Sequence, residues 1–291
     1  MFRRKGTSKP IGGLVMPSWV NGMLGTNSLF QGPGFIWNTC MNMVRALMGT
    51  SPSTFSPDAW NFVSGTLYPW FLTIGTILLN FFCLIGFVRQ ATNLKENITI
   101  EMWIELFIKT LIANLLMRYG LSIMADIFTI AAGNTVFIMG DSLPSIWTTD
   151  NDVGAVLAYL VVGLIYLIGS AVCGIMIVVE VMSRYLNLYI LVAVAPVALS
   201  TWAGGRGIED TAFAWIKSFL TNVFQIVAIA LVLRIGTLIG QNTIFQSTTD
   251  GTIIGMFSGS ASVLFSMMNM FFMTSAVKGA DGLIKRAFNL R

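Results

Sequence analysis

The chain has 291 residues, 55% hydrophobic and only 10% charged, with a mean hydropathy of +0.76 and a net charge of +4. Soluble domains carry about 25% charged residues, so an ordinary water-soluble globule is excluded and an integral membrane protein is indicated. The basic residues are spread over loops and ends, which suits membrane orientation rather than nucleic-acid binding.

The apolar runs are long, without the alternation of a β-barrel. The expected fold is all-α: a polytopic membrane helix bundle with about five transmembrane helices, one broken or re-entrant segment and an N-terminal interfacial helix. The chain contains no histidine, which removes the commonest general base and zinc ligand. Cys40, Cys83 and Cys173 lie far apart in apolar surroundings and read as small buried thiols. No catalytic residue, metal or cofactor is expected.

Taken in order, residues 1–67 are rich in Gly, Pro, Ser and Asn and read as an extracytoplasmic or interfacial region. The stretch Ile11–Leu24 is interrupted by Gly and Pro and gives no compact apolar core, so no cleaved signal peptide is expected. One helix is predicted over Phe35–Met48. There Ile36, Cys40, Met43, Val44 and Leu47 recur at helical spacing, which fits an interfacial helix better than a span. Ser51–Trp60 reads as a loop.

The membrane domain follows over 68–277. Its spans are expected near 68–88, 101–132, 153–185, 211–240 and 252–277, before a basic tail over 278–291. The second span is interrupted by Glu105, Lys109, Arg118 and Asp126, so it projects from the bilayer or kinks near Tyr119-Gly120. A loop is expected over 133–152. No charge falls between Val153 and Val179. The apolar run Leu186–Leu199 is then short for a span, since helices rise about 1.5 Å per residue and the hydrocarbon core is about 30 Å thick. Pro196 removes a backbone donor from it. Residues 186–203 are therefore read as a broken segment, ended by the turn at Gly204, Gly205 and Gly207.

Positive loops stay cytoplasmic. The Arg89–Lys95 loop, the Arg206 loop and the C-terminal tail then face inward. The loops 133–152 and 241–251 have no Lys or Arg and face outward. These assignments agree when 186–203 returns to the side it came from, with the N-terminal region outside. Arg3, Arg4, Lys5 and Lys9 dissent, and a short translocated tail accommodates them.

Glu180 and Arg184 lie one helical turn apart and can pair. A structural pair near the cytoplasmic interface is preferred over an ion or gating switch, and exchanging both charges should be tolerated better than reversing either. Glu105 and Lys109 have the favourable order for a surface pair. Gly255 and Gly259 form a GxxxG step, and Ser170 and Gly174 offer a similar small face for helix packing. The methionines Met267, Met268, Met270 and Met273 read as compliant filler rather than a copper site.

Three stretches carry a resemblance: IEMWIELFIKTLIANLLM (Ile100–Met117), SRYLNLYILVAVAPVALSTW (Ser183–Trp202) and FAWIKSFLTNVFQIVAIAL (Phe213–Leu231). With the Ala195-Pro196 step and the short loop after it, the chain resembles the VirB6/TrbL family of polytopic inner-membrane subunits of type IV secretion and conjugation machines. The likeness extends over about Trp70–Val277. It implies a non-enzymatic subunit in the bacterial inner membrane, with its N-terminal region outside and its C-terminus cytoplasmic. The implied partners are copies of itself, a VirB4-like ATPase, pilin, and stalk and core components, besides the bilayer; direct sequence-specific nucleic-acid binding is not expected. The rival reading is a secondary transporter or ion channel, disfavoured because only one broken segment and no clear internal repeat are visible.

Gly255→Leu or Gly259→Leu is expected to weaken self-association while leaving membrane insertion intact. Unchanged mobility on a native gel in mild detergent would rule out that packing face.

Overall fold

The computed structural model describes residues 28–92, 100–140, 156–205, 207–240 and 261–287. Among these residues there is no strand. The long helices are α1 (Ser28–Met48), α4 (Tyr68–Thr92), α5 (Ile100–Met139), α6 (Val156–Ser200), α7 (Glu209–Gly240) and α8 (Ala261–Ala287). Between α1 and α4 lie two short helices, α2 (Pro52–Phe55) and α3 (Pro57–Phe62), and a π-helical turn, Val63–Leu67. Four stretches are long and apolar enough to cross a membrane: Pro57–Arg89, Trp103–Met139, Gly163–Gly204 and Glu209–Ile239. The molecule is thus an all-helical bundle compatible with a multi-pass membrane protein. Of the fifth expected span, residues 252–260 lie outside the described residues, and α8 is not among the four.

Several boundaries differ from the sequence reading, each for a local reason. Ser51–Trp60 is not a loop. Pro52 and Pro57 each occupy a first-turn position, where a missing N–H costs nothing, and α3 runs through the π turn into α4. Residues 133–139 are not loop either, because α5 continues to Met139. Gly140 stops it with φ +64°, its N–H meeting the Val136 carbonyl at 3.1 Å, the usual glycine C-terminal cap. No kink is needed at Gly120. That glycine gives the Tyr68 hydroxyl room, 3.1 Å from where a Cβ would stand, to donate to the Met117 carbonyl at 2.7 Å.

The main correction concerns residues 186–203. They are not a separate broken element, because α6 runs unbroken through Pro196 to Ser200 and ends in a 3-10 turn, Thr201–Gly204. Gly205 and Gly207, at φ +74° and +91°, make the reversal into α7. Pro196 has no N–H for the Val192 carbonyl, yet the helix is braced around that gap. Trp215 on α7 donates its indole N–H to the neighbouring Leu191 carbonyl at 3.2 Å. On the other side α4 closes in at Gly75, where a Cβ would lie 2.7 Å from the Pro196 carbonyl oxygen. Three turns further on, a Cβ at Gly86 would lie 2.8 Å from the Ala203 carbonyl oxygen.

These contacts fix direction. α4 runs parallel to the last third of α6, because Gly75 meets Pro196 and Gly86 meets Ala203. α5 runs back along α4, with Leu106 near Gly86 and Met117 near Tyr68. α8 descends along α7, with Met273 against Gly236 and Asp281 against Gln225. The end of α4, the start of α5 and the Gly205 turn therefore share one end of the bundle. Arg206 itself lies outside the described residues.

α1 is part of this bundle. Trp37, Cys40, Met41, Val44 and Met48 are buried on one face at spacings of three and four, and lie along α6. Met43, expected on that face, is exposed. Gly174 makes room for the contact, since a Cβ there would meet Cys40 Sγ at 2.8 Å. The Tyr185 hydroxyl donates to the Leu47 and Thr50 carbonyls, and Tyr189 to the Pro52 carbonyl at 2.7 Å. The first hydroxyl meets backbone freed where α1 ends, and the second meets the start of α2.

Gly75→Ala forces its Cβ against backbone rather than a yielding side chain, so a loss of about 1–3 kcal/mol is expected. Gly65→Ala, where nothing lies within 4 Å, should be neutral or better. Thermal unfolding in detergent compares the two; equal melting temperatures would show that the α4–α6 contact is loose.

Candidate functional site

The polar centre of the bundle is built around Arg184. Its Cα stands about two thirds of the way along α6, and the residue is 7% exposed. The guanidinium pairs with Glu180 one turn back, as the spacing suggested. It also reaches Asp281 on α8, Nη1 to Oδ1 at 3.4 Å. The same Asp281 oxygen accepts from Gln225 Nε2 on α7 at 2.6 Å, and Lys285 holds the other oxygen at 2.7 Å. One carboxylate thus joins three helices. Arg184 Nε, Gln225 Oε1 and Thr221 Oγ1 are buried without a protein partner.

Burial pushes the Asp281 carboxyl towards its neutral form. The hydrogen bonds from Lys285 and Gln225 and the charges of Arg184 and Lys285 outweigh it, leaving the group below the ordinary carboxylate value.

A second bridge closes the end of the bundle. Lys109 pairs with Glu105 at 3.0 Å on its own helix and with Glu209 at 3.1 Å on α7. Glu209 opens α7, where a negative charge is favoured by the helix dipole. The Glu105–Lys109 pair is therefore one arm of a link between two helices. At the far end of α5, Arg45 donates to the Gly140 carbonyl.

The remaining sequence candidates act as packing points. Ser170 is fully buried and back-bonds to the Leu167 carbonyl at 2.9 Å, while Gly174 receives Cys40. Gly204 packs against Ile208, 2.7 Å from a would-be Cβ, and Gly205 carries the turn. Met270 and Met273 are buried and Met268 is exposed. Gly255 and Gly259 lie outside the described residues. Among the described residues, no group of three or more His, Cys, Asp or Glu is placed to hold a metal ion.

Gln225, Asp281, Glu209, Gly75 and Gly86 were not singled out from sequence. The Asp281–Lys285 spacing and the three-turn interval between Gly75 and Gly86 were readable signals. The meeting of Arg184 with Asp281 is long-range and left no local trace.

No family model matches this chain, and neither the curated proteins nor the solved structures contain a match. What the fold and this centre define is a class: a helical bundle with membrane-spanning character, its charges used to tie helices together.

The Asp281 contact changes the expectation for the charge pair. Exchanging Glu180 and Arg184 would set a carboxylate against Asp281, so the exchange alone should not compensate. Arg184→Gln removes the buried cation shared by Glu180 and Asp281, but both carboxylates are partly exposed and Lys285 still holds Asp281, so it should cost about 1–3 kcal/mol. Adding Asp281→Asn is expected to recover part of that loss in detergent unfolding. Strictly additive losses would show that the two side chains do not interact.

Proposed function

We propose that this chain is a non-enzymatic scaffold and channel subunit of a type IV secretion or conjugation machine, seated in the bacterial inner membrane. It assembles with copies of itself and with the machine's ATPase, pilin, stalk and core components, and helps to form the route for substrate or pilus assembly. The N-terminal region faces outward and the C-terminus inward. The observation that carries this reading is how the interior of one chain is used. The space enclosed by Met48, Thr50, Phe128, Tyr185, Leu188 and Val223 amounts to about 10 Å³, roughly room for one water. The Arg184 centre beside it is tied up in helix contacts. So tight a core, with its charges tied into helix contacts, favours a subunit that works between chains over a self-contained carrier.

The resemblance supplies the machine. Its most specific part, the Ala195-Pro196 step with the short loop after it, is also where α4 and α7 close on α6. The likeness therefore falls on the architectural core.

Deletion of the gene from its natural donor host tests the proposal. Loss of substrate transfer to background, restored by a plasmid copy, is the expected result. Normal transfer, with solute uptake by the purified chain alone in vesicles, would replace the scaffold reading with the carrier reading.

A further inference from the structure

Helix α5 carries a polar stripe on the outside of the bundle. Asn114, Arg118, Ser122, Asp126, Thr129 and Gly133 are all exposed. At 100° per residue they fall within about a third of the helix circumference. From Asn114 to Gly133 the stripe is about 28 Å long, close to the thickness of the hydrocarbon core. The adjoining face of the same helix is apolar and equally open, with Ile112, Tyr119, Ile123, Ile130 and Phe137 exposed.

The depth of this stripe follows from two levels on α5. Lys109, nine residues inside α5 and bridged to Glu209 where α7 begins, marks one level. Gly140, held by Arg45, marks the other. They stand about 46 Å apart along the helix, the span of a bilayer with its headgroups. Asp126 is then about 26 Å from the first and 21 Å from the second. A carboxylate on so short a side chain cannot reach water at either surface. Arg118 and Asp126 have no ion-pair partner among the described residues. Charges in this position are costly against lipid and are found facing protein or a water-filled space.

We infer that the α5 stripe lines a water-filled passage enclosed between copies of this chain. The stripe itself argues for water rather than a dry contact. It holds one positive and one negative charge, an amide and two hydroxyls, with Leu115 its one exposed aliphatic side chain and no aromatic anchor of a protein interface. Small residues, Ala125, Ala132 and Gly133, widen it. One chain contributes one strip, so enclosing a passage takes several copies, with the Ile123 and Ile130 flank against lipid or the next chain. The inference rests on the proposed self-assembly in the membrane and assigns the lining to α5.

Cysteine accessibility decides it. Cys40 and Cys173 are buried and Cys83 is half-buried, so Cys83→Ser gives a quiet background. Ser122→Cys and Thr129→Cys report the stripe; Ile123→Cys and Ile130→Cys report the flank. The full-length chain in native membrane vesicles is treated with a charged, membrane-impermeant methanethiosulfonate. The thiolate attacks the reagent, forming a mixed disulfide and releasing methanesulfinate, and a rise of one pKa unit in an apolar setting lowers the thiolate fraction about tenfold. Stripe positions should therefore react at least about tenfold faster than flank positions. Equal, slow reaction at both would overturn the passage. So would unlabelled stripe cysteines that oxidise into disulfides between copies, since that marks a dry interface. The readout is independent of substrate transfer. A labelled stripe in a host whose transfer survives gene deletion would sink only the secretion assignment, while an unlabelled stripe with transfer lost would sink only the passage.

Discussion

A proline inside a helix leaves a carbonyl without its donor, and hydrocarbon offers no water to replace it. The bundle is arranged around that constraint at Pro196. α4 presses its bare glycine backbone against the proline's own carbonyl. α7 brings an indole N–H to the carbonyl beside the gap. These contacts pack the helix closely on both sides of the proline without reaching the Val192 carbonyl that lost its donor. The parallel run of α4 beside α6, the tight reversal at Gly205 and the shared end of α4, α5 and α7 all follow from those contacts.

The tyrosines extend the same logic. Tyr68, Tyr185 and Tyr189 each place a hydroxyl on a backbone carbonyl of another segment. Each ring supplies apolar area to the core while its polar tip satisfies the chain, a combination suited to a site with little water. Arg184 does with charge what these do with hydroxyls. Removing any one of them exposes a polar group with no replacement nearby, which costs more than the interaction itself contributed.

The helical class, the approximate limits of α4 and α7 and the glycine-rich turn were legible in the sequence, because length, hydropathy and glycine act locally. The continuity of α6 was not. A short apolar run ending in proline reads as a break when taken alone, since the donor that braces it sits on α7 and the glycine that admits α4 lies over a hundred residues earlier. The start of α1 was hidden for a similar reason. Gly32, Pro33 and Gly34 argue against a helix, and burial of Trp37, Cys40 and Val44 against α6 outweighs them. Glu180–Arg184 was visible as half of a centre whose other half, Asp281 and Gln225, depends on helices folding back together.

Two polar features of the bundle differ in what satisfies them. Arg184 is buried against partly exposed carboxylates, and these charges are met within one chain, so the centre belongs to the stability of the monomer. The α5 stripe faces outward, and its two charges have no ion-pair partner among the described residues. Proteins place such groups in a membrane only against water or other polar surface. The fold therefore pairs its inner charges, while Arg118 and Asp126 have no ion-pair partner among the described residues. That division separates a structural residue such as Arg184 from Arg118, although both are arginines in apolar helices. It also explains why a helix as apolar as α5 carries Asp126 far from either end.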